Sequence, residues 1–280
     1  MKKLVLLVVL IASLELINGA LRGPTRLGQR IPKYVININR NERIVGGEPA
    51  NIEQFPYMLV LIDLSRGGFI CGASVIHRQW SLTAAQCLDK NTPAGSINLR
   101  GGSRYRTFGG FLFFVDFYVL HPQYDSYLLE FDVALIRVAD DSPMNGLNVA
   151  IVPISPICNT SCCHTCEYRL VTITGWGYNE NGVLSSGLNQ ITLPIYNHSA
   201  CDAAWQGIPD VFFCNWAGDG KDSCDGDGGS PIVRDIAGQR YQVGIVGFGS
   251  TVCGDGSYPS VNTRIEFSGV RNWITEVSGV

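Results

Sequence analysis

Short apolar segments, separated by Gly, Pro, Asn and Asp, make up most of the chain beyond residue 56. The clearest of them are residues 57–62, 111–120, 133–138, 170–174 and 241–248. Their lengths and spacing are typical of antiparallel strands and do not fit alternating β and α units. We therefore predict an all-β protein.

The last apolar segment has a different period. Val270, Trp273, Ile274 and Val277 fall at the spacing of one helix face. The pattern predicts a C-terminal helix over about residues 267–277.

The first 43 residues differ from the rest. Lys2 and Lys3 precede an apolar stretch and a small-residue end at Gly19-Ala20, which predicts a signal peptide over residues 1–20 and a secreted protein. No later segment is long and apolar enough to predict a membrane span. Residues 21–43 contain six Lys/Arg and one acid, and we interpret them as a basic pro-segment.

Charge argues against nucleic-acid binding. Residues 44–280 contain thirteen Lys/Arg and twenty-two Asp/Glu, a net charge of −9, and nucleic-acid-binding surfaces are basic.

Four motifs resemble those of chymotrypsin-like and trypsin-like serine proteases. They are Ile44-Val-Gly-Gly47, Trp80-Ser-Leu-Thr-Ala-Ala-Gln-Cys87, Phe131-Asp-Val-Ala-Leu-Ile136 and Asp222-Ser-Cys-Asp-Gly-Asp-Gly-Gly-Ser-Pro231. The resemblance covers about residues 44–277 of a domain spanning 44–280. It implies two antiparallel six-stranded Greek-key barrels, over about 44–155 and 165–265, followed by the short helix.

The catalytic slots implied by this resemblance are degenerate. Gln86 stands where the family has its histidine and Gly228 where it has its serine, while Asp132 matches the aspartate. Hydrolysis through a nucleophile requires a hydroxyl or thiol beside a base, and an amide is not basic at neutral pH. Losing the serine or the histidine costs on the order of 10⁶ in kcat.

Other residues do not obviously replace them. Ser230 lies two positions beyond the serine slot, and we expect its side chain to pack within the loop. His77 and His121 fall in expected turns away from Gln86. The family's oxyanion hole uses backbone N–H groups, at positions matching Gly226 and Gly228, and needs no particular side chain.

The resemblance also implies a specificity pocket. Asp222 matches the carboxylate at the base of the trypsin pocket, and Phe248, Gly249 and Ser260 match its walls. One interpretation is a narrowed acidic pocket for Lys or Arg. The other is that Asp222 is a solvated or internally satisfied loop acid.

An activation switch is implied at the start of the domain. Cleavage after Arg43 would free the Ile44 amine, and Asp227 matches the aspartate that receives it in the family. A buried charge without such a partner costs several kcal/mol.

Ten cysteines after a signal peptide indicate disulfides. The family pattern pairs Cys71 with Cys87, Cys201 with Cys214 and Cys224 with Cys253. Four further cysteines, at 158, 162, 163 and 166, lie outside that pattern. Two local disulfides are expected for Cys158, Cys162, Cys163 and Cys166, with two connectivities open; zinc with His164 or an intermolecular bridge are the alternatives.

Two sequons, at Asn159 and Asn197, predict surface glycosylation. No cofactor is expected, because residues 98–110 lack the carboxylates of a calcium loop.

From these features we predict a secreted, non-catalytic serine protease homologue that binds extracellular proteins, namely proteases, protease inhibitors or their substrates. It would act either as a protease cofactor or as an inhibitor decoy. The alternative is an active trypsin-like endopeptidase that cleaves after Lys or Arg.

Overall fold

A computed structural model describes residues 44–88, 91–139, 147–157, 165, 169–179, 182–218 and 220–280. The predicted boundaries of the signal peptide and pro-segment lie outside these residues, as do Arg43, Asn159 and the four clustered cysteines.

Six strands of the first half form a closed antiparallel barrel. They are β2 (Met58–Asp63), β3 (Gly68–His77), β4 (Trp80–Thr83), β5 (Ile97–Gly101), β6 (Phe111–Leu120) and β7 (Ala134–Val138), in the order β2-β3-β4-β7-β6-β5. Alternation along β5 and β6 turns Leu99, Phe113 and Val115 inward, as a strand period of two requires.

The second half is a seven-stranded sheet. Its strands are β1 (Glu48–Pro49), β8 (Leu170–Gly175), β9 (Asn189–Pro194), β10 (Phe212–Asn215), β11 (Pro231–Ile236), β12 (Gln239–Phe248) and β13 (Ser260–Arg264), in the order β1-β9-β8-β11-β12-β13-β10.

The all-β class is confirmed, but the second half is not a closed six-stranded barrel. The two residues of β1 pair with one end of β9 and add a seventh strand. Beyond the other end of β9, a single bridge joins Ile195 to Asn215, the last residue of β10. The sheet therefore curls into a half-barrel that is closed at one end only.

Two α-helices accompany the sheets in the described part of the chain. The C-terminal helix α2 (Ser268–Ser278) lies within one residue of its prediction. Helix α1 (His198–Trp205) was not predicted, because Cys201 is its one buried residue and it lacks an apolar stripe. Its N-cap is Asn197, whose side chain accepts a hydrogen bond from the Ala200 N–H at 2.7 Å.

Three disulfides brace the loops between strands. They join Cys71 to Cys87, Cys201 to Cys214 and Cys224 to Cys253, as the family pattern implied. Among the described residues, no helix is long and apolar enough to cross a membrane.

Replacing Trp273 by Ala should lower the free energy of unfolding by about 3–5 kcal/mol, the usual cost of removing a buried Trp. Trp273 is buried in α2 and meets the ring of His121 edge to face, with centroids 4.9 Å apart. Urea unfolding measures the change. Asn272→Ala, at the neighbouring exposed position, should cost less than about 0.5 kcal/mol, and equal losses would contradict the assignment.

Candidate active site

Gln86 and Asp132 lie in direct contact. Gln86 sits in the 3₁₀ turn Ala85–Cys87, which follows β4 and is held by the Cys71–Cys87 disulfide. Its backbone N–H donates to Asp132 Oδ1 and its Nε2 to Oδ2, each at 2.7 Å. Nε2 also donates to the Gly247 carbonyl at 2.9 Å. Both amide hydrogens are thus used.

Local backbone geometry fixes Asp132. Phe131 and Leu129 both adopt positive φ, 53° and 58°, which is strained for residues with a Cβ. The ring of Phe131 stacks on His121 with centroids 4.7 Å apart, which stabilises this turn. Thr263 Oγ1 donates to the Asp132 carbonyl at 3.0 Å. The carboxylate is therefore held firmly beside Gln86.

Burial raises the pKa of Asp132 to about 7, and the hydrogen bonds from Gln86 offset only part of this effect. A nearby cation would lower the pKa of Asp132. The Gln86 side chain donates an N–H group to the carboxylate but carries no charge.

The serine slot contains no side chain but has room for one. A Cβ added at Gly228 would meet only Cys71 Sγ, at 3.9 Å, which is an ordinary contact distance. The Gly228 carbonyl accepts a hydrogen bond from the Gly72 N–H at 3.0 Å. The loop is therefore fixed to the first barrel at this point.

Ser230 does not face the cleft. Its side chain is fully buried, and its Oγ has no hydrogen-bond partner among the described residues. It lies so close to Gly72 that a Cβ there would be 2.1 Å from the Oγ. This hydroxyl is out of reach of a peptide substrate.

His121 and His77 do not occupy the base position either. His121 is buried, packs against Phe131 and Trp273, and has a pKa lowered by that burial. His77 is exposed at the end of β3, where its Nδ1 accepts the Gln79 N–H at 3.2 Å.

The backbone around the serine slot retains free donors. Within the described part of the chain, neither the Gly226 nor the Gly228 N–H donates a hydrogen bond. Gly226 has φ +89°, and a Cβ there would press on the Gly177 Cα at 3.1 Å. Glycine is required at this position for both reasons.

Hydrogen bonds inside the protein satisfy Asp222, the residue expected at the base of the specificity pocket. Its carboxylate accepts a short hydrogen bond from Ser260 Oγ and a longer one, at 3.4 Å, from the Gly254 N–H. Burial raises its pKa to about 6, and these bonds act in the opposite direction. The sequence identified both residues but not their bond, which joins the start of β13 to a loop residue 38 positions away.

The residues expected to form the walls of the specificity pocket are closely packed. A Cβ added at Gly249 would lie 3.1 Å from Ser260 Oγ. Phe248 is only 8% exposed, because its ring packs edge to face against Trp205 and Phe212. Phe248 and Ser260 are therefore closely packed within the protein, near the buried carboxylate of Asp222.

Asp227 and Ile44 are both buried, as the switch would require. Asp227 accepts N–H bonds from Gly177 at 2.8 Å and Cys224 at 3.1 Å, and burial raises its pKa to about 7. Ile44 packs in the core of the second sheet. Its neighbour Val45 exchanges two backbone hydrogen bonds with Asp222, at 2.9 and 3.2 Å.

The closed barrel, the half-barrel and the C-terminal helix together form a chymotrypsin-like fold. The sequence matches the trypsin family model over residues 44–274. The chain therefore belongs to the trypsin family.

Three curated relatives share this length. The chain is 34% identical to a trypsin of Phaedon cochleariae, over 86% of this chain and 90% of that protein. It is 31% identical to trypsin 5G1 of Aedes aegypti, over 85% and 86%, and 31% identical to hypodermin-B of Hypoderma lineatum, over 84% and 87%.

The free energy of unfolding of the full chain should decrease as the pH rises from 5 to 8. Asp132, Asp222 and Asp227 have folded pKa values of about 6 to 7, above the ordinary value of 3.8, so the folded state binds more protons in this range. Each group lowers the free energy of unfolding by up to about 1.4 kcal/mol per pH unit, and this effect ends once the pH exceeds its folded pKa.

Urea unfolding at pH 5, 6, 7 and 8 measures this slope. Asp227→Asn should reduce it by up to one proton, since an amide does not titrate. Asp125→Asn is the control, because that exposed carboxyl has a lowered pKa and titrates below this range. A flat or rising profile would contradict the expectation.

Proposed function

We propose that this trypsin-family protein is secreted and acts by binding other extracellular proteins, not by hydrolysing peptide bonds. The contact between Gln86 and Asp132 carries the proposal. A carboxylate that orients an imidazole in an active triad here receives two N–H bonds from an amide residue.

The chemistry of the slot residues supports this reading. General-base catalysis requires a lone pair of suitable basicity, and an amide nitrogen lacks one. Gly228 provides no hydroxyl. What the site keeps are the two free N–H groups at Gly226 and Gly228, which bind anionic or carbonyl oxygens without breaking a bond.

The second candidate is an active endopeptidase that cleaves after Lys or Arg. The names of two relatives, trypsin and trypsin 5G1, favour it over the first. It would need a base and a nucleophile from outside the usual slots. Ser230 and His121 are both buried, and for that reason we place this candidate second.

Binding would follow one of two modes. A cofactor positions an active protease or its substrate, and a decoy occupies a protease inhibitor through the Asp222 pocket. Disulfides fit an oxidising extracellular compartment and either mode.

Cleavage after Arg43 would give Asp227 a cationic partner. The freed Ile44 amine would place an ammonium near Asp227, which carries no cation among its described partners. Ion pairing would lower the raised pKa of Asp227 and stabilise its charged form.

Restoring the triad should restore hydrolysis. After cleavage at Arg43, the native chain should release no product from Lys or Arg peptide substrates above background. Gln86→His combined with Gly228→Ser should turn over, because the slot has room for the serine side chain and Asp132 is in place. The gain should reach several orders of magnitude, since losing one member costs on the order of 10⁶.

Each single substitution is the control and should remain inactive, because triad losses are not additive. Turnover by the native chain that disappears in Ser230→Ala would establish the second candidate. Turnover that survives this change would point to another nucleophile and equally refute the first.

Removing the Ser260 hydroxyl, which donates a hydrogen bond to Asp222, should open the proposed pocket. Ser260→Gly frees one carboxylate oxygen and the space beside Gly249. We expect p-aminobenzamidine, a flat cation, to bind this variant at least about tenfold more tightly than the native chain, a gain of about 1.4 kcal/mol. Fluorescence titration measures it, and Ser260→Gly with Asp222→Ala should abolish the gain. An unchanged affinity would favour the interpretation of Asp222 as an internally satisfied acid.

A further inference from the structure

The outer surface of the first barrel carries an apolar stripe along β6. Phe114 is 64% exposed, Leu112 46% and Phe117 39%. Strand alternation directs Leu112 and Phe114 outward, and an irregularity in the pairing with β7 between Val115 and Phe117 brings Phe117 to the outside as well. We call these three residues the β6 face.

Two arginines flank the β6 face. Arg100 on β5 lies opposite Leu112 in register, and Arg137 on β7 lies opposite Phe117. The Arg137 guanidinium stands 5.8 Å from the centroid of the Phe117 ring.

No carboxylate among the described residues pairs with either arginine. Arg100 donates to the Gly109 carbonyl at 2.6 Å, and in the described chain neither Arg100 nor Arg137 forms an ion pair. Asp116 is the one acid on β5, β6 and β7. A positive, aromatic surface therefore lies on a domain whose net charge is −9.

The backbone of β6 is not available for recognition. The strand is hydrogen-bonded to β5 on one side and β7 on the other in a closed barrel. A partner strand cannot be added here, so binding would use side chains alone. Clustered exposed aromatic residues next to arginine are typical of interaction surfaces.

We propose that the β6 face binds a segment of a partner protein in which apolar side chains are interspersed with carboxylates. The apolar groups would cover Leu112, Phe114 and Phe117, and the carboxylates would pair with Arg100 and Arg137. Removing the aromatic surface from water and pairing both guanidinium groups would both favour binding of the segment.

Charge selects this occupant over two others. The chain's own residues 21–43 carry a net charge of +5 and would be repelled by the arginines. A second copy packed face to face would set its Arg100 and Arg137 against the same guanidinium groups, because a two-fold interface brings like surfaces together. The proposal does not depend on the state of the triad, since a peptidase and an inactive homologue would use such a surface alike.

Fluorescence anisotropy of the full chain with a labelled, N-acetylated peptide, Glu-Leu-Phe-Glu-Leu-Phe-Glu, tests the proposal. The same peptide with Gln in place of Glu should bind at least about tenfold more weakly, because it lacks the side-chain carboxylates that would pair with Arg100 and Arg137. The affinity of the acidic peptide should fall as salt rises, since the pairs are exposed.

Four variants locate the site, each checked for folding by circular dichroism. Phe114→Ser and Arg137→Gln should each weaken binding of the acidic peptide about five- to tenfold. Leu170→Ser and Arg169→Gln are matched controls, since both residues are exposed at β8 of the other sheet, and they should leave binding unchanged.

Equal binding of the two peptides would overturn the charge assignment, and equal losses in the control variants would overturn the location. A concentration-dependent dimer in sedimentation velocity that is lost in Phe114→Ser would show that a second copy covers this face, which also overturns the proposal.

Discussion

The close approach of β3 to the loop that precedes β11 is the constraint on which the site depends. Gly72 donates its N–H to the Gly228 carbonyl, and a Cβ at Gly72 would collide with Ser230. Thr83 Oγ1 donates to the Gly72 carbonyl at 2.8 Å, and the adjacent Cys71 is bonded to Cys87. A single glycine thus brings together β4, the turn that holds Gln86 and the loop that contains Gly228.

Three buried carboxylates around this junction share one property, which is that neutral donors satisfy them. Asp132 receives the amide of Gln86, Asp222 the hydroxyl of Ser260, and Asp227 two backbone N–H groups. Hydrogen bonds from neutral groups stabilise a carboxylate less than a cation does, so burial dominates and all three pKa values are raised.

Much of this architecture could be predicted from the sequence, because strand period and turn residues are local signals. The segment 111–120 coincides with β6, and α2 follows from the spacing of Val270, Trp273 and Ile274. Helix α1 could not be predicted from a pattern, because a disulfide and an N-cap hold it where an apolar stripe is lacking. The pairing of β1 with β9 depends on contacts between residues about 140 positions apart, which no local pattern encodes.

The residues at the expected triad positions show the same difference between local motifs and contacts of distant residues. The sequence identified Gln86, Asp132 and Gly228 by their motifs. It did not reveal that the second amide hydrogen of Gln86 reaches Gly247, or that Ser260 bonds Asp222, since both contacts join residues that are far apart in the sequence.

The bond from Gln86 to Gly247 also has a mechanical meaning. Gln86 belongs to the first barrel and Gly247 to β12 of the second sheet, so one planar amide fastens the two halves across their cleft. An amide group has no protonation change near neutral pH that would loosen this fastening, in contrast to an imidazole. The bond between Gln86 and Gly247 therefore does not itself titrate where histidine does, whereas the carboxylate of Asp132 that orients the same amide, with its pKa of about 7, changes charge in that range.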